Sequence, residues 1–295
     1  MNILKVLANL AEVDPEAYQR LSARRGMLSS LGRLGRKAAA TAVPLGLGAV
    51  LQQAYGRNSQ TILDTFTLAL RLEYLENEFY TLALTAGRNG TLVFPAGTMP
   101  VIQQIQEQEQ AHVTFLQRQL QNSSAAVPAK PNFDFTGSKN GTKAAAFATV
   151  FTSFDTFLKV AQLLEDTGVR AYKGQLDFLA ANNDLLEAGL QIHAVEARHA
   201  AHIRGMRRAT QNANVRNWVS KNDDTITTAG VTDAVYAGEE IQLQTLPGVP
   251  IRSFPFDTTP IVTDTPEKAK ISLGEAFDEP ITAAVASQLA DLFIY

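Results

Sequence analysis

Two Glu-x-x-His pairs, Glu109–His112 and Glu196–His199, constrain this chain more than any other feature. With 15 Glu and 4 His among 295 residues, composition alone predicts about 0.2 such pairs. Residues three apart share one face of a helix, so each pair can offer a carboxylate and an imidazole to a single point. Both pairs lie on helical stripes. The first continues Ile102 and Ile105 and leads on to Leu116 and Leu120, over a helix predicted from about Met99 to Gln121. The second lies in a helix predicted from about Leu185 to Thr210.

Each pair has a matching carboxylate upstream. In "RLEYLENEFY" Glu73 is followed seven residues on by Tyr80, and in "LLEDTGVRAY" Glu165 is followed seven residues on by Tyr172. The alignment selects Glu73 over Glu76, because Gly168 stands where a counterpart of Glu76 would be. The halves then read alike: Glu73, Tyr80, Glu109 and His112, then Glu165, Tyr172, Glu196 and His199. From first Glu to His the gap is 39 residues in one half and 34 in the other, a difference that hairpin loops absorb. The pattern is that of an internal duplication about a pseudo-twofold axis.

The carrier is helical. Ile62, Phe66, Ala69, Glu73, Glu76, Tyr80 and Ala83 recur at steps of three and four, until Gly87, Asn89 and Gly90 end the first helix. A third helical segment is predicted from about Ala144 to Ala181, joined to the fourth by the short "ANNDLLE". Residues 122–143, "NSSAAVPAKPNFDFTGSKNGTK", have no helical period. So long a loop inside one domain needs a reason. Two antiparallel hairpins joined by one long crossover, a known four-helix-bundle connectivity, supply it. The chain divides into an N-terminal segment (1–57), the bundle (58–213) and an extension (214–295). The extension is rich in Thr, Val, Pro and Gly, which predicts irregular and β structure, with a short helix after Pro280.

Four carboxylates and two neutral imidazoles balance two divalent cations and suit iron or manganese. Without metal, buried carboxylates repel and some take up protons. Glu109 and Glu196 can bridge two ions while each ion keeps an open position. Tyr80 and Tyr172 can hydrogen-bond across to carboxylates of the opposite half, although as single residues they read as core aromatics. Glu76 and Asp166 read as polar-face or helix-pairing acids. His193 and His202 read as residues around or outside the centre. Gly168 reads as a close approach of helices, with room for a bound oxidant as the alternative. Gln106, Gln108 and Gln110 fall off the inward stripe, toward solvent or a neighbouring helix edge.

These residues resemble those of the ferritin-like di-iron carboxylate superfamily. "LRLEYLENEFY", "EQEQAH", "EDTGVRAYKG" and "HAVEARHAAHI" are most similar to its desiccation-related branch in bacteria and plants, over about residues 58–213, and "EAFDEP" near the end is similar to that branch too. The resemblance implies a mainly α fold, a ferritin-like four-helix bundle with one long crossover. It implies Glu73, Glu109, His112, Glu165, Glu196 and His199 as ligands of two iron or two manganese ions. Activities in the superfamily include ferroxidase, O2 activation, peroxide reduction and manganese catalase chemistry, so O2 or peroxide is the expected partner and Fe(II) a candidate substrate. The alternative is a stress- or desiccation-related envelope protein whose metal site is structural or vestigial. The extensions at both ends lie outside an ordinary ferritin subunit and argue against a 24-subunit storage cage, leaving a smaller homo-oligomer open.

A net charge of −3 without a basic block in the central region argues against a nucleic-acid partner. The absence of Cys excludes disulfides, thiolate metal sites and cysteine nucleophiles. Near the start, Arg24 and Arg25 precede Met27 and Leu28, and an uncharged run follows from Ala38 to Leu51. That run is too short to span a bilayer. The Arg-Arg-x-hydrophobic-Leu order resembles a twin-arginine export signal and so suggests a periplasmic or envelope location; an amphipathic or Ala-rich helix docked on the main domain of a cytoplasmic protein is the alternative.

Overall fold

A computed structural model describes residues 59–180, 182–221, 223–226, 232–239, 271 and 274–295. The N-terminal segment, with its twin-arginine-like motif, lies outside the described residues. Four long helices form the bundle: α1 (Ser59–Arg88), α2 (Thr98–Asn122), α3 (Phe154–Leu179) and α4 (Asn183–Gln211). A four-residue helix, α5 (Asp233–Tyr236), and a terminal helix, α6 (Ala283–Phe293), follow. The most extensive packing is within the hairpins α1–α2 and α3–α4; α1 also meets α3, and α2 meets α4.

Local chemistry sets the helix ends. After α1, Gly90 takes a φ of 77°, and Thr91 and Leu92 both donate backbone N–H groups back to the Ala86 carbonyl. That left-handed turn suits a residue without a Cβ, and it delivers Leu92 into the core. Asn182 caps α4 by accepting from the backbone N–H groups of Asp184 and Leu185. Asn212 closes α4 in the left-handed conformation.

The third helix begins about ten residues later than its periodicity predicts. The Ser153 side chain accepts the Thr156 N–H and caps the helix there. Residues 144–152 are turns instead, anchored by the buried side chains of Phe147 and Val150. The Ala-rich run mimics a helix start, but tertiary burial of Phe147 decides the matter. The crossover is correspondingly longer than the loop read from composition. It is also ordered: Asp134 accepts from Thr136, Ser138 and Asn140, and Phe135 and Phe147 stack against Phe293 of α6 at 5.5 and 5.9 Å between centroids.

Within the described part of 214–295 there is no strand, only one antiparallel bridge between Phe133 and Ile294. Residues 240–270, most of the Thr- and Pro-rich stretch, lie outside the described residues. The terminal helix after Pro280 is present, capped by Thr282.

The extension is fastened to the bundle by buried charge. Along α3 the side chains are buried on nearly every face, including Gln162, Glu165, Asp166 and Arg170. Buried charges must be paired. Arg170 donates to the carbonyls of Glu279, Val235 and Ala237 and pairs with Glu239 at 2.9 Å. Asp166 holds Arg204 of α4 through two hydrogen bonds of 3.0 and 2.6 Å and accepts from Tyr236 of α5 at 2.9 Å. At Gly174 a Cβ would lie 2.2 Å from the Ile281 carbonyl oxygen, so a bare backbone is what lets the extension cross α3. Among the described residues no helix is long and apolar enough to cross a membrane.

Candidate metal centre

Each of the four long helices sends a carboxylate to the middle of the bundle. Glu73, Glu109, Glu165 and Glu196 are fully buried, His199 is 2% exposed, and the His112 side chain is 11% exposed. Two groups of four residues place ligand atoms within 4.8 Å of one another: Glu73, Glu109, His112 and Glu196, then Glu109, Glu165, Glu196 and His199. Glu109 and Glu196 belong to both groups. Glu109 turns Oε2 to His112 at 3.2 Å and Oε1 to His199 at 2.6 Å. Glu196 turns Oε1 to His112 at 3.2 Å and Oε2 to His199 at 3.9 Å.

The outer atoms are held. Tyr172 donates to Glu73 Oε1 at 2.5 Å, and Tyr80 donates to Glu165 Oε1. Each tyrosine reaches the carboxylate of the other half. Each leaves the second oxygen facing inward: Glu73 Oε2 is 3.2 Å from His112, and Glu165 Oε2 is 3.5 Å from His199. Gln108 accepts from His199 Nε2 at 2.7 Å, which turns Nδ1 toward the centre, where it would offer a lone pair to a cation that displaces its proton.

The inward atoms lack partners. Glu109 Oε1, Glu165 Oε2, both oxygens of Glu196, Glu76 Oε2 and His199 Nδ1 are buried and make no hydrogen bond. His199 Nδ1 and Glu109 Oε1 approach to 2.6 Å without the geometry of a shared proton. Buried polar atoms are almost always satisfied, so orphans of this kind gathered at one point fit a cation. The donors are all oxygen and nitrogen, the set that suits iron or manganese.

Electrostatics shows the strain of leaving the acids to themselves. Burial, followed by repulsion from Glu73, raises the Glu109 carboxyl to about 7. Burial and the Glu109 charge hold Glu196 well above the usual carboxylate range. For Glu73 burial acts upward, but the attraction and hydrogen bond of His112 outweigh it and the shift is downward. Burial acts downward on His199, yet the Glu165 charge and the Glu109 contact lift it to about 11. His112 is raised as well, burial being outweighed by Glu73. Protons thus stand in for positive charge at this cluster.

A family model described as a ferritin-like domain matches residues 61–209, just over half of the chain. The chain belongs to the ferritin-like family. No curated protein matches its sequence. The matched span runs from the first turn of α1 to the last turn of α4, so this ferritin-like domain holds all six of the residues singled out by spacing, and it brings all six together.

Other residues of the ferritin-like domain take places that spacing did not foresee. Glu76 is not a polar-face acid: it is 2% exposed and lies near the centre's carboxylates, outside the two four-residue groups. Gly168 marks a close approach of carboxylates rather than of helices; a Cβ there would lie 3.1 Å from both Glu196 Oε2 and Glu76 Oε1. Asp166 does pair helices, through Arg204. His193 contacts the Val169 carbonyl at 3.0 Å, and His202 is exposed. Gln106 and Gln110 bond Asn77 of α1, at a helix edge as expected. Gln108 has a larger role than its position off the stripe suggests. Its sequence signal is only that it precedes Glu109, which on a helix turns it toward the neighbouring α4.

Proposed function

We propose that this ferritin-like domain holds two ions, iron or manganese, and reacts with O2 or peroxide as a ferroxidase, oxidase or peroxide scavenger, with Fe(II) itself a candidate substrate. The observation that carries the reading is the sharing of Glu109 and Glu196 between the two four-residue groups. A carboxylate with one oxygen turned to each histidine is suited to bridging. Glu73 with His112 would hold one ion, and Glu165 with His199 the other. The bound ions would supply electrons to, and polarise, an oxygen substrate.

The protein's part is orientation and exclusion of water. Tyr172 and Tyr80 hold Glu73 and Glu165 by their outer oxygens, and Gln108 holds the His199 ring. Such partners keep a ligand aimed and tune its basicity. His112 alone of the six keeps more than a trace of solvent contact, so a small molecule would enter on its side. Beside Glu165, Tyr80 packs with Phe79 and Phe157, and all three rings are fully buried.

The test is anaerobic reconstitution with Fe(II) or Mn(II), elemental analysis, then O2 and peroxide consumption by the same sample. Uptake of about two ions per chain is expected, since four carboxylates balance two divalent charges, with turnover lost in Glu73→Ala and His112→Ala. A protein that takes up neither ion, or a loaded protein inert to both oxidants, refutes the reading. One feature favours a second reading, a metal that only stabilises the bundle of a stress-protective protein: five of the six ligands are essentially sealed from solvent, as in structural sites. On that reading the same two variants lose thermal stability, and the wild type shows no turnover to lose.

A further inference from the structure

Glu76 lies one helical turn beyond Glu73 and has no equivalent in the other half, where Gly168 occupies the matching place. It is 2% exposed, and its Oε2 is buried without a hydrogen-bond partner. Burial opposes its ionisation first, and the carboxylates of Glu196, Glu109, Glu165 and Glu73 oppose it further. Among the described residues no lysine or arginine is paired with it. A helix-pairing role needs a basic or hydrogen-bonding partner on the facing helix. What faces Glu76 is instead the bare backbone of Gly168 and the Oε2 of Glu196. A Cβ at Gly168 would sit 3.1 Å from the Glu76 and Glu196 oxygens alike. The missing side chain in one half therefore makes the room that the extra carboxylate of the other half fills.

We propose that Glu76, which lies outside the two four-residue groups but beside Glu196 Oε2 over Gly168, is a seventh metal-binding residue, a fifth carboxylate in a centre whose duplicated halves are otherwise matched. The assignment rests on the dimetal reading above and deepens it. Four carboxylates neutralise two divalent ions, and a fifth leaves one negative charge uncompensated in a buried site. The energetic cost of that charge is relieved by a higher ionic charge, so Glu76 favours a pair containing a trivalent ion over a pair of divalent ones. A centre that must hold its metals in the oxidised state gains from this asymmetry; a purely divalent site does not.

The experiment compares the full-length wild type with Glu76→Gln, an isosteric change that removes only the charge, and with Glu78→Gln. The last removes a charge from the partly exposed Glu78–Lys130 pair and controls for bulk electrostatics. Each chelator-stripped protein is melted, then titrated anaerobically with Mn(II) and, separately, with redox-inert Ga(III). For Glu76→Gln the metal-free melting temperature should equal or exceed that of the wild type, because a buried repulsion is removed. Affinity should fall by about tenfold or more, the scale seen when support of a metal site is lost, with the greater loss for Ga(III). Glu78→Gln should match the wild type in both titrations. If Glu76→Gln binds both ions as tightly as the wild type, the assignment is overturned, and a lowered metal-free melting temperature alongside unchanged affinity would make Glu76 a structural residue. A wild type that binds neither ion overturns the dimetal reading and this assignment together, so the two failures are distinguishable.

Discussion

At the scale of single residues, the centre depends on groups that hold ligands rather than on the ligands alone. Tyr172 donates to Glu73 across the pseudo-twofold axis. Removing that hydroxyl leaves Glu73 free to rotate and leaves its outer oxygen buried without a donor. We expect Tyr172→Phe to weaken metal binding by about tenfold or more, read from competition with a chelator of known affinity; an unchanged competition curve would mean the phenol is only packing. Gly168 is sensitive for a different reason. Its added Cβ would stand 3.1 Å from two carboxylate oxygens, so Gly168→Ala must displace Glu76 or Glu196. The same chelator assay should show a loss of about tenfold, while the metal-free protein, relieved of helix glycine, melts no lower than the wild type.

At the scale of elements, α6 ties the crossover to the bundle. Phe293 is fully buried and contacts Phe135 and Phe147, two rings from the loop between α2 and α3. Backbone bonds run alongside, from Asp134 N–H to the Phe293 carbonyl at 2.7 Å and from Tyr295 N–H to the Asn132 carbonyl at 3.2 Å. Phe293→Ala should cost about 3–5 kcal/mol, the usual range for a large core aromatic, measured by urea denaturation. If the cost is below about 1 kcal/mol, the cavity has collapsed and α6 is a weaker clasp than its contacts suggest. The start of α3 carries the lesson about legibility here. Ala144 through Thr152 open with three alanines in a row and read as helix, but two side chains six residues apart, Phe147 in the core and Ser153 at the cap, pull the chain into turns. Propensity is a weak prior against burial.

At the scale of the whole molecule, protons and metal compete for one buried charge cluster. In the metal-free protein the folded state holds Glu109 near 7 against an ordinary 4.5. A carboxyl raised on folding binds more protons folded than unfolded, so its contribution to stability falls as pH rises from about 4.5 to 7. Glu76 and Glu196 shift in the same direction, by burial and mutual repulsion. The raised histidines add stability that is complete below their ordinary 6.5 and is lost as pH climbs toward the folded value, about 11 for His199. Glu73 alone among the shifted ligands works the other way, contributing above 4.5 and losing that contribution in acid. Metal must displace these protons, so its affinity rises with pH. We expect the metal-free melting temperature to fall between about pH 5 and 8 while the increment on Mn(II) loading grows. Melting curves with and without Mn(II) at several pH values check this, and a constant increment would contradict it.

What the sequence determined by itself is the set of periodic, local facts. A helix repeats every 3.6 residues, so three- and seven-residue spacings map directly onto one face. That is why Glu73, Tyr80, Glu109, His112, Glu165, Tyr172, Glu196 and His199 could be placed on four inward stripes before any coordinates. The crossover topology followed from the same periodicity and its interruption. What only the tertiary structure decided is everything that depends on which face meets which across the bundle. Glu76 and Glu73 share a stripe, and spacing cannot say where each carboxylate ends; the gap above Gly168 on another helix makes room for Glu76 beside Glu196. Gln108 lies off the stripe, yet the angle between α2 and α4 brings it to His199. The hold of Arg170 on the extension spans more than sixty residues of chain. Such contacts have no period, because they arise from the packing of separate elements rather than from the geometry of any one.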